Sequence, residues 1–143
     1  MRHTIDTSIT IAAPPDAVWS VLVDLDRYHE WNPFVVEAAG EPTVGSVLTV
    51  RIMPPGDRAT THRPTVVAVE PGRLLRWHGR VAVPGLFDAR HEFAVDPQGD
   101  GTLLRHSEVF RGLLVPFLRA TLRRTEQGFH AMNEALRTRV ENR

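Results

Sequence analysis

Between Ile5 and Ile11, the residues Ile5, Ile9 and Ile11 alternate with Asp6, Ser8 and Thr10, and this period of two predicts a half-buried strand. Pro14 and Pro15 stop it. Asp16, Ala17, Val18, Trp19, Val21, Leu22 and Leu25 then follow at helical spacing, with proline tolerated in the first turn. A second short, aromatic-rich turn runs from Tyr28 to Trp31 and ends at Asn32-Pro33, where the residue before proline is pushed out of helical conformation. From Phe34 to Arg111, β-branched and aromatic runs separated by Gly, Pro and Asp predict six strands: Phe34 to Ala39, Ser46 to Met53, Thr61 to Glu70, Leu74 to Val81, Phe87 to Asp96 and Thr102 to Arg111. The short breaks between them suit antiparallel hairpins. Beyond Gly112 the period changes. Leu118, Leu122, Thr125, Phe129, Met132, Leu136 and Val140 fall at steps of four and three, one stripe on a long amphipathic helix whose arginine-rich opposite face reads as solvated.

Composition narrows the chemistry. The chain has 143 residues, 42% of them hydrophobic, enough for one domain with a real core. Seventeen basic residues balance seventeen acidic ones, so no global field recruits nucleic acid or an anionic membrane surface. No apolar run is long enough to cross a bilayer, and Met1 to Thr4 carry no signal core; the expectation is a soluble, cytoplasmic protein, with a homodimer left open. The chain lacks cysteine, which excludes thiolate nucleophiles and cysteine-ligated metals, and lacks lysine, which excludes Schiff-base chemistry. No dinucleotide-binding glycine pattern, phosphate loop or nucleophile-elbow serine is present, and no cofactor is expected.

The order of elements, with Ala13-Pro14-Pro15-Asp16-Ala17-Val18-Trp19, Tyr28-His29-Glu30-Trp31-Asn32-Pro33-Phe34, Gly45, His91-Glu92-Phe93 and Gly128-Phe129 to Leu136, resembles the START-like or helix-grip (SRPBCC) superfamily, including its polyketide cyclase/dehydrase and lipid-transport branch. The resemblance implies an α+β helix-grip fold: a curved seven-stranded antiparallel sheet wrapped around the long C-terminal helix, two short helices after the first strand, and a cavity between sheet and helix.

Strand alternation supplies the candidate chemistry. On the last strand Leu104, His106, Glu108 and Phe110 share one face while Arg105 and Arg111 share the other, so the arginines turn His106 and Glu108 inward. Phe87, Ala89, His91, Phe93 and Val95 likewise form an apolar face that carries His91 inside. Buried ionisable groups are costly unless paired or bound to something polar. His91, His106 and Glu108 are therefore the candidates for a polar anchor and, in an enzyme, for the acid-base group. Trp77, Phe93 and Phe110, with Thr125, Phe129 and Met132 from the helix, are the candidate walls, and Trp31 and Phe34 the candidate mouth. His106-x-Glu108 also has a spacing that facial-triad metal sites use, but no metal is assigned.

The leading expectation is binding or carriage of a small hydrophobic molecule, such as a polyketide-like aromatic, an isoprenoid or a lipid. A cofactor-independent cyclase, dehydratase or aromatase using Glu108 or His106 is the enzymatic alternative. A protein-interaction module with a self-filled cavity, like the chaperone-activating relatives, is the second.

Overall fold

β1 (Arg2–Ile11) runs straight into the proline pair, and Pro15 opens α1 (Pro15–Leu22) at a position where a missing N–H costs nothing. α1 is shorter than its apolar spacing suggests. Tyr28, buried in the 3₁₀ turn Leu25–Glu30 that follows, donates its hydroxyl to the Leu22 carbonyl at 2.6 Å and so satisfies a helix-end acceptor. Asn32 then closes the segment, its Oδ1 accepting the backbone N–H of both Phe34 and Val35 at 2.9 Å. The computed structural model describes residues 1–81 and 83–142.

Seven further strands follow: β2 (Val35–Ala39), β3 (Thr49–Ile52), β4 (Thr60–His62), β5 (Thr65–Glu70), β6 (Leu74–Val81), β7 (Phe87–Gln98) and β8 (Gly101–Arg111). They do not form the single seven-stranded sheet that the sequence predicts. β1, β8, β7, β6 and β5 make a five-stranded antiparallel sheet in that order, and β2, β3 and β4 make a second, three-stranded one. Pro64 is the physical reason. It lacks a ladder N–H, so the run predicted as one strand from Thr61 to Glu70 divides into β4 and β5 around Arg63-Pro64. The sheets stay tied at this seam. Val47 bridges Thr65, the Leu48 N–H reaches the Pro64 carbonyl, and the Val66 N–H reaches the Ser46 carbonyl, both at 2.8 Å. Register shifts in β2 and in β5 add the local bends that let such a sheet curve.

After a 3₁₀ turn at Val115–Phe117, α2 (Arg119–Glu141) packs its stripe of Leu122, Phe129, Met132, Leu136 and Val140 onto the inward face of the five-stranded sheet, above Ile5, Ile11, Val95 and Leu104. Gly128 makes the close approach possible. A Cβ there would come within 2.7 Å of Cε1 of the buried Phe34 ring, so only glycine lets the helix lie this near the start of β2. The Arg139 guanidinium holds the far end of α2 to Glu30 in the first 3₁₀ turn at 2.6 Å. None of the described helices is long and apolar enough to cross a membrane.

Candidate functional site

Two adjacent rungs of the five-stranded sheet carry Thr7, His91, His106 and Glu108 on its inward face. On one rung Trp77, His91 and Glu108 stand side by side, because the register sets Trp77 opposite His91 and His91 opposite Glu108. On the next rung are Leu75, Phe93, His106 and Thr7. Period-two alternation puts all of these on one face. α2 then covers the second rung: Phe129 stacks on the His106 ring with 3.9 Å between centroids and 5° between planes, and Phe93 stacks on its other side at 4.4 Å. His91 lies against Trp77 at 4.8 Å.

Four hydrogen bonds link the His106 carbonyl, Thr7, Asn133, His106 and His91 in one chain, and Glu108 stands beyond its end at ion-pair distance. The Thr7 hydroxyl donates to the His106 carbonyl at 2.7 Å, and the Asn133 Nδ2 donates to the Thr7 oxygen at 2.9 Å. Asn133 Oδ1 meets His106 Nδ1 at 2.8 Å, His106 Nε2 meets His91 Nε2 at 2.8 Å, and His91 Nδ1 faces Glu108 Oε1 at 3.4 Å. Its direction follows from its first member. A backbone carbonyl can only accept, so the single Thr7 proton points at it and the Thr7 oxygen must receive the Asn133 amide N–H. The amide is thereby oriented, its oxygen facing His106, and His106 Nδ1 must carry the proton. Its Nε2 is then a bare acceptor, and His91 must supply the proton between the rings from its own Nε2.

His106 is fully buried. Burial pushes its imidazole well below the ordinary range, the neighbouring His91 adds to the depression, and the bond to Asn133 opposes it. The folded protein therefore holds His106 neutral, while the unfolded chain takes up a proton as pH falls through about 6.5. Its contribution to stability is complete above that value and is expected to decline below it, by up to about 1.4 kcal/mol per pH unit. Urea midpoints measured at a series of pH values, for the native chain and for His106→Phe, test this. The native chain should lose stability more steeply on acidification by about one proton's worth, and equal slopes would refute it.

Beside the first rung lies a cavity of about 480 Å³ between β3, β4, β6, β7, β8 and α2. Six of the sequence-predicted residues line it: Phe34, Trp77, His91, Glu108, Phe110 and Thr125. His106, Phe93, Phe129 and Met132 do not; they form the fully buried layer behind its wall. Trp31 is elsewhere, edge-on to Tyr28 and lining an outer groove with Asp24, Arg27 and Arg139. Sequence reading missed Thr7 and Asn133, although both left a trace: Thr7 is the polar member among Ile5, Ile9 and Ile11, and Asn133 follows Phe129 by four within the apolar stripe. It also missed the wall from β3 and β4, including Ile52 and His62, whose position depends on the second sheet. The two histidine Nε2 atoms face one another and share one proton, so those nitrogens are occupied by each other rather than converging on a common ligand.

A two-layer α+β grip with a cavity between its sheets and its long C-terminal helix is the architecture of a helix-grip protein of the START-like class. The chain belongs to the family described as "Polyketide cyclase / dehydrase and lipid transport", whose pattern matches residues 2–141. A search of curated proteins found no match. Among solved structures, the Zhui aromatase/cyclase from Streptomyces sp. R1128 is similar at 18% identity with a TM-score of 0.81, covering 100% of this chain and 96% of that one. A START superfamily protein from Mycobacterium smegmatis is similar at 18% identity with a TM-score of 0.76, covering 98% of each chain. Norcoclaurine synthase from Thalictrum flavum, in complex with dopamine and hydroxybenzaldehyde, is similar at 16% identity with a TM-score of 0.76, covering 99% of this chain and 88% of that one. At these identities the likeness establishes the fold.

Proposed function

We propose that this chain binds or carries a small hydrophobic molecule in the cavity between its sheets and α2. One observation carries the reading: about 480 Å³ of space bounded by Phe34, Trp77, Phe87 and Phe110, with the His91-Glu108 pair on its wall and His62, Arg63 and Arg80 also lining it. That volume lies within the usual range of about 300–1,000 Å³ for small-molecule sites, and aromatic walls with polar groups among them are common there. Polyketide-like aromatics, isoprenoids and lipids are the classes to try. A self-filled interior, which the interaction-module alternative requires, fits this cavity poorly.

A second reading rests on the pair itself. His91 Nδ1 and Glu108 lie 3.4 Å apart on the cavity wall and together offer a place for one transferable proton, as a cyclase or dehydratase working without a cofactor needs. In that case Glu108 and His91 touch the substrate and His106 acts through His91, because neither His106 nitrogen is free.

A thermal-shift screen against aromatic, polyketide, sterol and fatty-acid compounds tests the first reading. A true ligand at a hundred times its dissociation constant adds about 2.7 kcal/mol, or roughly 10 °C for a domain of this size. Dose-dependent stabilisation by one chemical class is expected. No shift from any class would overturn the proposal, and product formation lost in Glu108→Gln would move the protein to the enzymatic reading.

A further inference from the structure

We infer that the cavity selects ligands carrying a hydrogen-bond donor, such as a phenol, enol or alcohol, over ketones and ethers of the same shape, because the Thr7-Asn133-His106-His91 chain leaves the free oxygen of Glu108 an acceptor. The inference rests on the binding reading above and deepens it by naming the ligand's polar group.

Bond direction propagates from one end of the chain to the other. The His106 carbonyl takes the Thr7 proton, the Thr7 oxygen takes an Asn133 N–H, the Asn133 oxygen takes the His106 Nδ1–H, and His106 Nε2 takes the His91 Nε2–H. A neutral His91 therefore turns a bare Nδ1 toward Glu108 Oε1, 3.4 Å away. Consider the pair carrying one proton. Held on His91, it leaves a carboxylate, and the second oxygen accepts. Held on Glu108, it must sit on Oε1, where the bare nitrogen receives it, and the second oxygen is a carbonyl that again accepts. With no proton on either group the oxygen accepts as well. Only a pair carrying two protons presents a donor.

Had the chain run the other way, His91 would have offered Nδ1–H, and a protonated Glu108 would have turned its own O–H to the cavity. Asn133 and His106, neither of which lines the cavity, are thus positioning residues for a preference expressed at Glu108. Among the described residues the Glu108 carboxyl has one ion-pair contact, that to His91, and it interacts electrostatically with His62 on the same cavity wall; its side chain is 12% exposed, and its remaining capacity faces the cavity it lines. Trp77, which lines the cavity beside His91, adds apolar ring surface near the acceptor.

The test is a fluorescence titration of the full chain with β-naphthol, its methyl ether and naphthalene, three planar probes of closely similar shape. A bond to a carboxyl outweighs the desolvation of a phenol by a modest margin, so the alcohol should bind about tenfold more tightly than the ether. In Glu108→Leu that ratio should fall to about one while naphthalene binding persists. Should Glu108→Leu fail to fold, Glu108→Gln replaces it. Its amide N–H is drawn to the bare His91 nitrogen and its oxygen stays on the cavity side, so a smaller preference for the alcohol should survive. Equal binding of alcohol and ether by the native chain, a preference for the ether, or a preference unchanged in Glu108→Leu would overturn the inference while leaving the cavity as a binding site. Failure of all three probes to bind would overturn the binding reading, and the inference with it.

Discussion

Replacing Phe129 by alanine is expected to lower the melting temperature by roughly 10–15 °C, far more than truncating any exposed side chain would. Phe129 is fully buried and, with Asn133, is where α2 meets the polar core. Its ring lies flat on His106, edge-on to Phe34 at 5.5 Å, and within 5.1 Å of His91. Truncation removes the apolar burial and also leaves a void that the surrounding sheet, tied by long ladders on both sides, cannot collapse to fill. Large-to-small changes of this kind cost about 3–5 kcal/mol. At about 3 °C per kcal/mol for a chain of this length the shift follows directly. Phe117, 82% exposed, is the control: Phe117→Ala should stay within about 0.5 kcal/mol of the native chain. A loss under about 3 °C in Phe129→Ala, measured by circular dichroism, would show that the helix is held mainly by other contacts.

Asn133→Leu should cost about 2–4 kcal/mol, although it exchanges a polar residue for an apolar one of nearly the same size inside an apolar stripe. By helix propensity and burial alone the change should stabilise. The opposite is expected because Asn133, 2% exposed, is the hinge of the hydrogen-bond chain. Without its oxygen, the His106 Nδ1–H is buried with no acceptor, and without its amide N–H the Thr7 oxygen loses its donor. Each orphaned group carries a desolvation penalty of about 1–3 kcal/mol, less for the hydroxyl, which keeps its bond to the His106 carbonyl. Urea denaturation of the two proteins decides the sign. Equal or greater stability of Asn133→Leu would mean that the chain contributes little and that its polarity does not constrain His91.

These two substitutions probe different properties of one site. Phe129 packs α2 onto the His106 ring, and Asn133 sets which nitrogen of each histidine carries its proton. Between them they hold His91 in place beside Glu108, so that the cavity wall presents a polar group of defined direction within an apolar surround. Such preorganisation by residues that touch no ligand is how binding sites hold geometry tightly.

The residues of the wall separate what local pattern reveals from what it hides. His91, His106 and Glu108 were legible as inward-facing because alternation along β7 and β8 is a local property, settled by the arginines on the opposite face. Depth was not legible. His106 and Glu108 share a face of one strand two residues apart, yet α2 covers the first completely and leaves the second on the cavity. Trp31 was expected at the mouth, but the 3₁₀ turn before it sends its ring to the outer groove. Thr7 and Asn133 were passed over because each is unremarkable alone; their meaning arises from a contact across 126 residues.

By itself the sequence determined the order of the elements, most of the strands, the inward faces of β7 and β8 and the apolar stripe of α2, because periods of two and of three to four are imposed by backbone geometry over a few residues. The tertiary structure alone decided three further things. It divided the expected single sheet at Pro64, it stood the rungs of Trp77-His91-Glu108 and Phe93-His106-Thr7 side by side, and it ran a directed hydrogen-bond chain from α2 to the cavity. The reason is that register, helix approach and bond direction each depend on which distant groups meet. A hydrogen bond has a donor and an acceptor only once both partners are in place.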